Sequence, residues 1–275
     1  MNIVIVGLGL IGASFAKAFK MYTSHYIIGI DTDLEVLHSA LKNNVIDKIG
    51  TSQSITDADI IYLCIYPEDA INFIEENKKY IPPECIVTDT CGIKHKLCSR
   101  LSKLAYGNFK FLGSHPMAGK EKNGFLESSH DLFKGASYII TPCEAPDEAV
   151  NIIKELAFKI GFGEIKITTP EEHDRMIAFT SQLPHVLACA YVLSPRCKKH
   201  NGFSAGSYRD VSRVARINET LWSELFISNK EPLVSEINLL INNLTDIRNY
   251  IENEDIEKLK ETLKTGRNIK EELGE

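Results

Sequence analysis

Short apolar runs alternate with helical patterns over the first 168 residues of the chain. The runs are too short for helices and rich in β-branched residues, which is typical of strands buried on both faces of a sheet. They occupy residues 3–6, 26–30, 60–65, 85–88, 109–113, 137–141 and 164–168. Apolar residues with helical spacing lie between them, at 13–19, 34–41, 67–79, 94–104 and 146–160. This alternation predicts an α/β fold with right-handed crossovers and a mainly parallel sheet.

The pattern changes at Thr169-Pro170. Beyond this point the periodicity is helical, and we find no convincing strand. A long helix is predicted from Pro170, with a kink at Pro184, and further helices at 209–217, 221–228, 233–250 and 256–270. We therefore expect two domains, residues 1–168 and an all-helical domain of residues 169–275.

The last helices carry apolar stripes whose role the sequence leaves open. One stripe consists of Ile237, Leu240, Ile241 and Leu244. Such a stripe packs either into a core or against a second subunit. The length of these stripes favours a homodimer formed through the helical domain.

A glycine motif joins the first predicted strand to the first helix. Gly7 allows a tight turn out of the strand, Gly9 lets the backbone approach a pyrophosphate, and Gly12 lets the helix pack close to the sheet. The start of the helix, including Leu10 and Ile11, offers free amide donors and a partial positive charge to phosphates. We infer a Rossmann-type dinucleotide-binding domain; the alternative is a glycine-rich loop that binds no nucleotide.

Asp31 ends the second apolar run, about 20 residues beyond the glycines, where an acid binds the ribose hydroxyls. A carboxylate at this position would repel a 2′-phosphate. The sequence therefore predicts NAD rather than NADP as the cofactor.

Composition narrows the function further. The chain has 275 residues, of which 44% are hydrophobic and 25% charged, with a net charge of −6. This balance suggests neither a nucleic-acid partner nor a membrane surface, so an anionic substrate would need a local basic cluster. The seven cysteines form no CxxC pair, which favours reduced thiols and a cytoplasmic protein. We find no signal peptide, no apolar run near the ~20 residues of a membrane span, and no metal-ligand spacing among the eight histidines.

Two histidines are candidates for chemistry. His115 lies at the end of a predicted strand, directly before Pro116, and ligands collect at such strand ends in an open parallel sheet. Its neutral imidazole could accept a proton from a substrate hydroxyl, or it could only hydrogen-bond the adjacent loop. His185 lies beside the predicted kink, and its position alone suits a core histidine and a ligand equally.

Arginines recur at Arg209, Arg213 and Arg216, a spacing that places them along one face of a helix. Like charges so spaced need a compensating anion. Asp210 and Glu219 could supply it within the helix. The functional alternative is a clamp for substrate carboxylates, which guanidinium groups bind in bidentate fashion.

The motifs GLGLIGAS (residues 7–14), SHPMAG (114–119), QLPH (182–185) and SRVAR (212–216) resemble the prephenate and arogenate dehydrogenase family in order and spacing. This resemblance implies NAD-dependent oxidative decarboxylation of a cyclohexadienyl dicarboxylate in tyrosine biosynthesis. It implies that His115 accepts the hydrogen bond of the ring hydroxyl and that His185 contributes to the substrate pocket. It further implies that Arg213 binds the ring carboxylate and that Arg209 helps to hold the side-chain carboxylate.

Two residues depart from the family pattern: Gly92 stands where many members have a serine, and Gln182 replaces a common histidine. The sequence does not separate prephenate from arogenate, which differ by a keto or amino group. Two other classes stay open. A 3-hydroxyacid dehydrogenase would use a catalytic lysine in the helical domain, and a non-enzymatic redox sensor would bind the nucleotide without turnover.

Overall fold

The computed structural model describes residues 1–120 and 122–274. Its centre is one eight-stranded sheet with the order β3-β2-β1-β4-β5-β6-β7-β8. Neighbouring strands are parallel except β6 and β7, which are antiparallel. The strands are β1 (Asn2–Val6), β2 (Tyr26–Ile30), β3 (Lys48–Ile49), β4 (Ile60–Leu63), β5 (Ile86–Asp89), β6 (Lys110–Pro116), β7 (Ser137–Thr141) and β8 (Glu164–Ile167). The predicted mainly parallel sheet is confirmed.

Five α-helices connect these strands and begin where the sequence provides start signals. Asp33 accepts hydrogen bonds from the backbone amides of Glu35 and Val36, as expected of an N-cap. Pro67 occupies the first turn of its helix, where its missing N–H costs nothing. The helices are α1 (Leu10–Tyr22), α2 (Leu34–Lys42), α3 (Pro67–Asn77), α4 (His95–Ala105) and α5 (Asp147–Lys159).

Strand β6 is longer than the sequence predicts. We expected it to end at residue 113, but it continues through Pro116 because its last residues pair with β7, including His115 with Ile139. His115 lies at the carboxyl end of β6, as predicted, among the last residues that pair with β7. Strand β4 ends at Leu63 rather than at residue 65, and the two-residue strand β3 was not predicted.

The core lies on both faces of the sheet. One face carries an aromatic cluster in which Phe15 contacts Phe19, Tyr62 and Phe133. The other face is aliphatic and includes Leu97 and Leu101 of α4. Burial on both faces explains why the central strands are continuous apolar runs.

The rest of the described chain, residues 168–274, contains helices and no strand. Its α-helices are α6 (Pro170–Ile177), α7 (Leu183–Val192), α8 (Gly206–Ser212), α9 (Glu219–Ser228), α10 (Lys230–Glu252) and α11 (Ile256–Leu273). A π-helical segment, Ala178–Gln182, joins α6 to α7 directly before Pro184. The amide of Leu183 bonds to the carbonyl of Ala178, and this wider turn accommodates the proline at the predicted irregularity. No helix in the described residues is long and apolar enough to cross a membrane.

Candidate functional site

The turn between β1 and α1 packs so tightly against neighbouring backbone that Gly7 and Gly12 have no room for side chains. A Cβ on Gly7, whose φ is +90°, would lie 2.6 Å from the carbonyl oxygen of Cys64. A Cβ on Gly12 would lie 1.9 Å from the carbonyl oxygen of Gly7. Gly9 instead faces open space, with no atom within 4 Å of an added Cβ. The turn therefore leaves a free surface over Gly9, which fits the approach of a pyrophosphate.

The start of α1 and the end of β2 border the same surface. The amides of the first helical turn, including those of Leu10 and Ile11, have no acceptor within an α-helix and can bind an anion. The Asp31 carboxylate accepts hydrogen bonds from the amides of Leu8 (2.6 Å) and Asp33 (2.9 Å). Asp31 is thereby held against the glycine turn, as a ribose ligand would have to be.

A series of contacts connects the glycine turn to His115 along the carboxyl edge of the sheet. An added Cβ on Gly7 would touch Ile65, whose carbonyl oxygen lies 3.5 Å from the thiol of Cys91. The next residue, Gly92, faces the imidazole: an added Cβ would lie 3.9 Å from His115 Cε1. The glycine turn and His115 therefore lie along the same edge of the sheet.

A buried polar network lies beneath His115. The Lys94 ammonium and the Asp89 carboxylate form an ion pair at 2.5 Å, and both side chains are fully buried. Asp89 also accepts a hydrogen bond from the amide of Ser114, whose hydroxyl contacts the hydroxyl of Tyr138 at 2.6 Å. Burial alone would lower the pKa of Lys94, but the Asp89 charge raises it, so the ammonium keeps its proton.

His115 is joined to a second histidine and an aspartate from α6. His115 Nδ1 lies 2.9 Å from His173 Nε2, and His173 Nδ1 lies 2.7 Å from an oxygen of Asp174. Asp174 also accepts hydrogen bonds from the amides of Lys94 and His95, at 2.8 Å each. These contacts fix α6 to the start of α4 beside His115.

Both imidazoles are neutral at neutral pH. Burial lowers the pKa of His115 well below its usual value, and the repulsion that a protonated His115 would meet from a protonated His173 and from the Lys94 ammonium lowers it further. Burial also lowers the pKa of His173, although the hydrogen bond to Asp174 opposes this. His115 is therefore able to accept a proton.

Helix α9 relates His185 to the same region. The ring of His185 stacks on Trp222, with centroids 3.8 Å apart, and its Nδ1 lies 2.8 Å from the carbonyl oxygen of Ser181. One turn further along α9, Leu225 would lie 3.7 Å from a Cβ on Gly92. His185 is thus partly buried beside α9, the helix whose Leu225 lies next to Gly92 and His115.

The expected helix face of three arginines is wrong for Arg216, whereas the amide of Arg213 still bonds to the carbonyl oxygen of Arg209 one helical turn before it. Helix α8 ends at Ser212, and Arg213 begins a 3₁₀ turn that closes at Ala215. Arg216 then leaves helical geometry (ψ 84°), because the chain must extend to reach Asn218, the N-cap of α9. Arg209 and Arg213 are exposed, and the 3₁₀ turn packs against α7, the helix that carries His185.

Residues 15–164 match the family described as "Prephenate dehydrogenase, nucleotide-binding domain", and residues 169–265 match "Prephenate dehydrogenase, dimerization domain". The chain belongs to the prephenate dehydrogenase family. A curated relative named prephenate dehydrogenase, from Bacillus subtilis, is 32% identical over 99% of this chain and 76% of its own length.

Solved structures agree with this assignment. A prephenate dehydrogenase from A. aeolicus, crystallised with hydroxyphenyl propionate and NAD+, superposes with a TM-score of 0.89 at 26% identity, covering 99% of this chain and 98% of that one. An arogenate dehydrogenase from Synechocystis superposes with a TM-score of 0.86 at 26% identity, covering 99% and 100%. The predicted α/β fold with a helical C-terminal part is confirmed.

Two residues that contact His115 directly or through one another, His173 and Asp174, are not identified by the sequence patterns of this prephenate dehydrogenase family member. The one signal was the adjacent His-Asp pair in an otherwise polar first turn. Gln182, one of the departures from the family pattern, is buried and accepts a hydrogen bond from Asn229 at 2.7 Å.

Proposed function

We propose that this protein catalyses the NAD-dependent oxidative decarboxylation of prephenate to 4-hydroxyphenylpyruvate, a step in tyrosine biosynthesis. The observation that carries the proposal is the neutral imidazole of His115, which lies along the same edge of the sheet as the glycine turn. Family membership supports the substrate class. A site for hydride transfer needs a nucleotide and a proton acceptor side by side, and this edge offers both.

The residues present fit the cofactor. The open surface over Gly9, the first-turn amides of Leu10, Ile11 and Gly12, and the Asp31 carboxylate would hold the pyrophosphate and the ribose. Bound NAD+ would supply the hydride acceptor. The carboxylate of Asp31 disfavours a 2′-phosphate, so we propose NAD rather than NADP.

His115 takes the proton of the reaction. The hydroxyl-bearing ring carbon gives up hydride while the hydroxyl proton passes to His115, and a carbonyl forms. The ring carboxylate then leaves as carbon dioxide, and its electron pair passes through the ring to the carbonyl oxygen, which gives a phenolate. The proton held by His115 returns to this oxygen to form the phenol. The protein has to orient the substrate and hold one proton between these steps, and His115 performs the second task.

Cationic side chains of the helical part would hold the two carboxylates of the substrate. We assign the ring carboxylate to Arg213 and the side-chain carboxylate to Arg209, with His185 in the pocket wall. The packing of the Arg213 turn against α7 supports placing these residues together. With a net charge of −6, the chain offers little long-range attraction, so local arginines must supply it.

The test is NADH production with purified protein and each of two substrates, prephenate and arogenate. Turnover of prephenate in the wild type and its loss in His115→Asn confirm the proposal, provided that the variant still binds NAD. Faster turnover of arogenate would select the alternative function, which the likeness to the Synechocystis arogenate dehydrogenase makes a specific candidate. No NADH with either substrate would refute both.

We further propose a division at residues 168 and 169, with nucleotide binding before it and substrate binding and dimerisation after it. The last strand ends at Ile167 and α6 begins at Pro170, which supports this boundary.

Helix α10 has 23 residues, of which only Leu233 is buried, while Ile241 and Leu244 are about half exposed. A homodimer would cover these apolar residues, and light scattering on the purified protein tests it. A cytoplasmic location stays a prediction.

A further inference from the structure

With His115 and His173 both neutral, the contact between them has only one arrangement of protons that satisfies every atom in it. Asp174 accepts the amides of Lys94 and His95, so it is an acceptor toward His173 as well. His173 must then carry its proton on Nδ1 and donate it to Asp174 at 2.7 Å. Because His173 is neutral, its Nε2 bears a lone pair.

That lone pair determines which ring nitrogen of His115 carries the proton. His173 Nε2 lies 2.9 Å from His115 Nδ1, so His115 donates its proton through Nδ1. Its remaining nitrogen, Nε2, is left with a lone pair. In water, neutral histidine prefers the opposite tautomer with the proton on Nε2, so this arrangement has to be imposed by the protein.

Gly92, which faces the other side of the imidazole, does not determine which nitrogen of His115 carries the proton. Gly92 has no side chain, and its nearest approach to the ring would be a Cβ 3.9 Å from His115 Cε1. His173, by contrast, is 2% exposed and is held by Asp174, which is itself fixed by two backbone amides. Within the described part of the chain, the polar contact of the His115 ring is therefore with a rigid, buried acceptor.

We propose that His173 and Asp174 are positioning residues that lock His115 in the Nδ1–H tautomer, so that Nε2 is the atom that receives the substrate proton. This inference rests on the proposed function for the identity of the proton donor. The locked tautomer itself is a property of the free protein. A similar carboxylate–imidazole contact orients the base in serine hydrolases, where the wrong tautomer of the histidine strongly lowers kcat.

The direct test is nitrogen NMR of the protein labelled with ¹⁵N in its histidine rings, with His115→Asn identifying the His115 signals. We expect protonated Nδ1 and unprotonated Nε2 in the wild type at neutral pH. His173→Met removes the acceptor and should let His115 shift toward the Nε2–H tautomer, with kcat lower by about 10²-fold. His173→Gln can still accept from His115 and donate to Asp174, and it should recover most of kcat and the wild-type tautomer.

His95→Met is the matched control. His95 also joins α4 to α6, through a 3.0 Å contact with Glu171, but its side chain is 63% exposed and does not touch His115. Its substitution should leave kcat and the His115 signals unchanged. An Nε2–H tautomer in the wild type, or unchanged signals and kcat in His173→Met, would overturn the inference. Equal losses in the Met and Gln variants with an unchanged tautomer would also overturn it.

The readouts keep this inference separate from the proposed function. Wild-type protein that turns over neither substrate but shows the Nδ1–H tautomer would refute the proposed function alone. Wild-type protein that turns over prephenate with His115 in the Nε2–H tautomer would refute the inference alone.

Discussion

Replacing Lys94 by methionine would remove one half of the fully buried ion pair below His115. The ammonium donates to Asp89 at 2.5 Å and to the carbonyl oxygens of Cys91 and Ile93 at 2.7 and 3.2 Å. Methionine matches the length of the lysine stem but donates nothing. The variant therefore leaves the Asp89 charge buried with backbone amides as its remaining partners.

The expected cost follows from this geometry. Removing one partner of a buried, hydrogen-bonded ion pair destabilises a protein by about 3–5 kcal/mol. The measurement is urea unfolding at pH 7 to 8, followed by tryptophan fluorescence of Trp222 and by circular dichroism. In the double variant Asp89→Asn/Lys94→Met no charge is stranded, so it should be more stable than Lys94→Met alone.

Lys96→Met provides the matched control, two residues further along the chain. Lys96 pairs with Glu68 at the surface, where the side chains are 52% and 43% exposed. Solvent screens such a pair, so its loss should cost about 0–1 kcal/mol.

The loss of stability in Lys94→Met should depend on pH. Without Lys94 the carboxylate is buried with no opposite charge beside it, and a lower pH favours the uptake of a proton that removes such an uncompensated buried charge. The penalty in Lys94→Met should therefore be smaller at pH 5 than at pH 8, relative to wild type at the same pH. A cost below about 1 kcal/mol, no larger than that of Lys96→Met, would refute the account of a buried charge pair.

Three further predictions concern the cofactor, the substrate and pH. Asp31→Ser should raise the activity with NADP relative to NAD, because it removes the negative charge; a wild type that already prefers NADP would contradict this. Arg213→Ala removes a charge-assisted pair worth roughly 1.5–3 kcal/mol, so KM should rise by about 10–150-fold with unchanged NAD affinity, and Arg213→Lys should recover only part of it; unchanged KM in folded Arg213→Ala would assign the arginine to a structural role. The low pKa values of His115 and His173 mean that the unfolded chain binds more protons than the folded one below about pH 6.5. Stability should therefore fall as pH drops below that value, while kcat/KM should decline only at lower pH, where His115 is protonated; a decline in kcat/KM already centred near pH 6.5 would contradict the lowered pKa.

The sequence by itself determined the elements whose signals are local. The first strand, the three glycines and the start of α1 form one continuous pattern, and the steric reasons for Gly7 and Gly12 hold in the structure. Asp33 and Pro67 mark helix starts because capping and a fixed φ act within a few residues. The change to an all-helical chain after Ile167 was readable for the same reason.

Tertiary structure alone decided the surroundings of His115. Its strand extends to Pro116 only because β7 pairs with it in the antiparallel direction, and its partner His173 lies 58 residues away. The predicted face of three arginines is wrong because helical geometry ends before Arg216, where the chain extends toward α9. Hydrophobic periodicity records which side of an element is buried, whereas hydrogen bonds between polar side chains depend on how distant elements pack, and no local pattern encodes that packing.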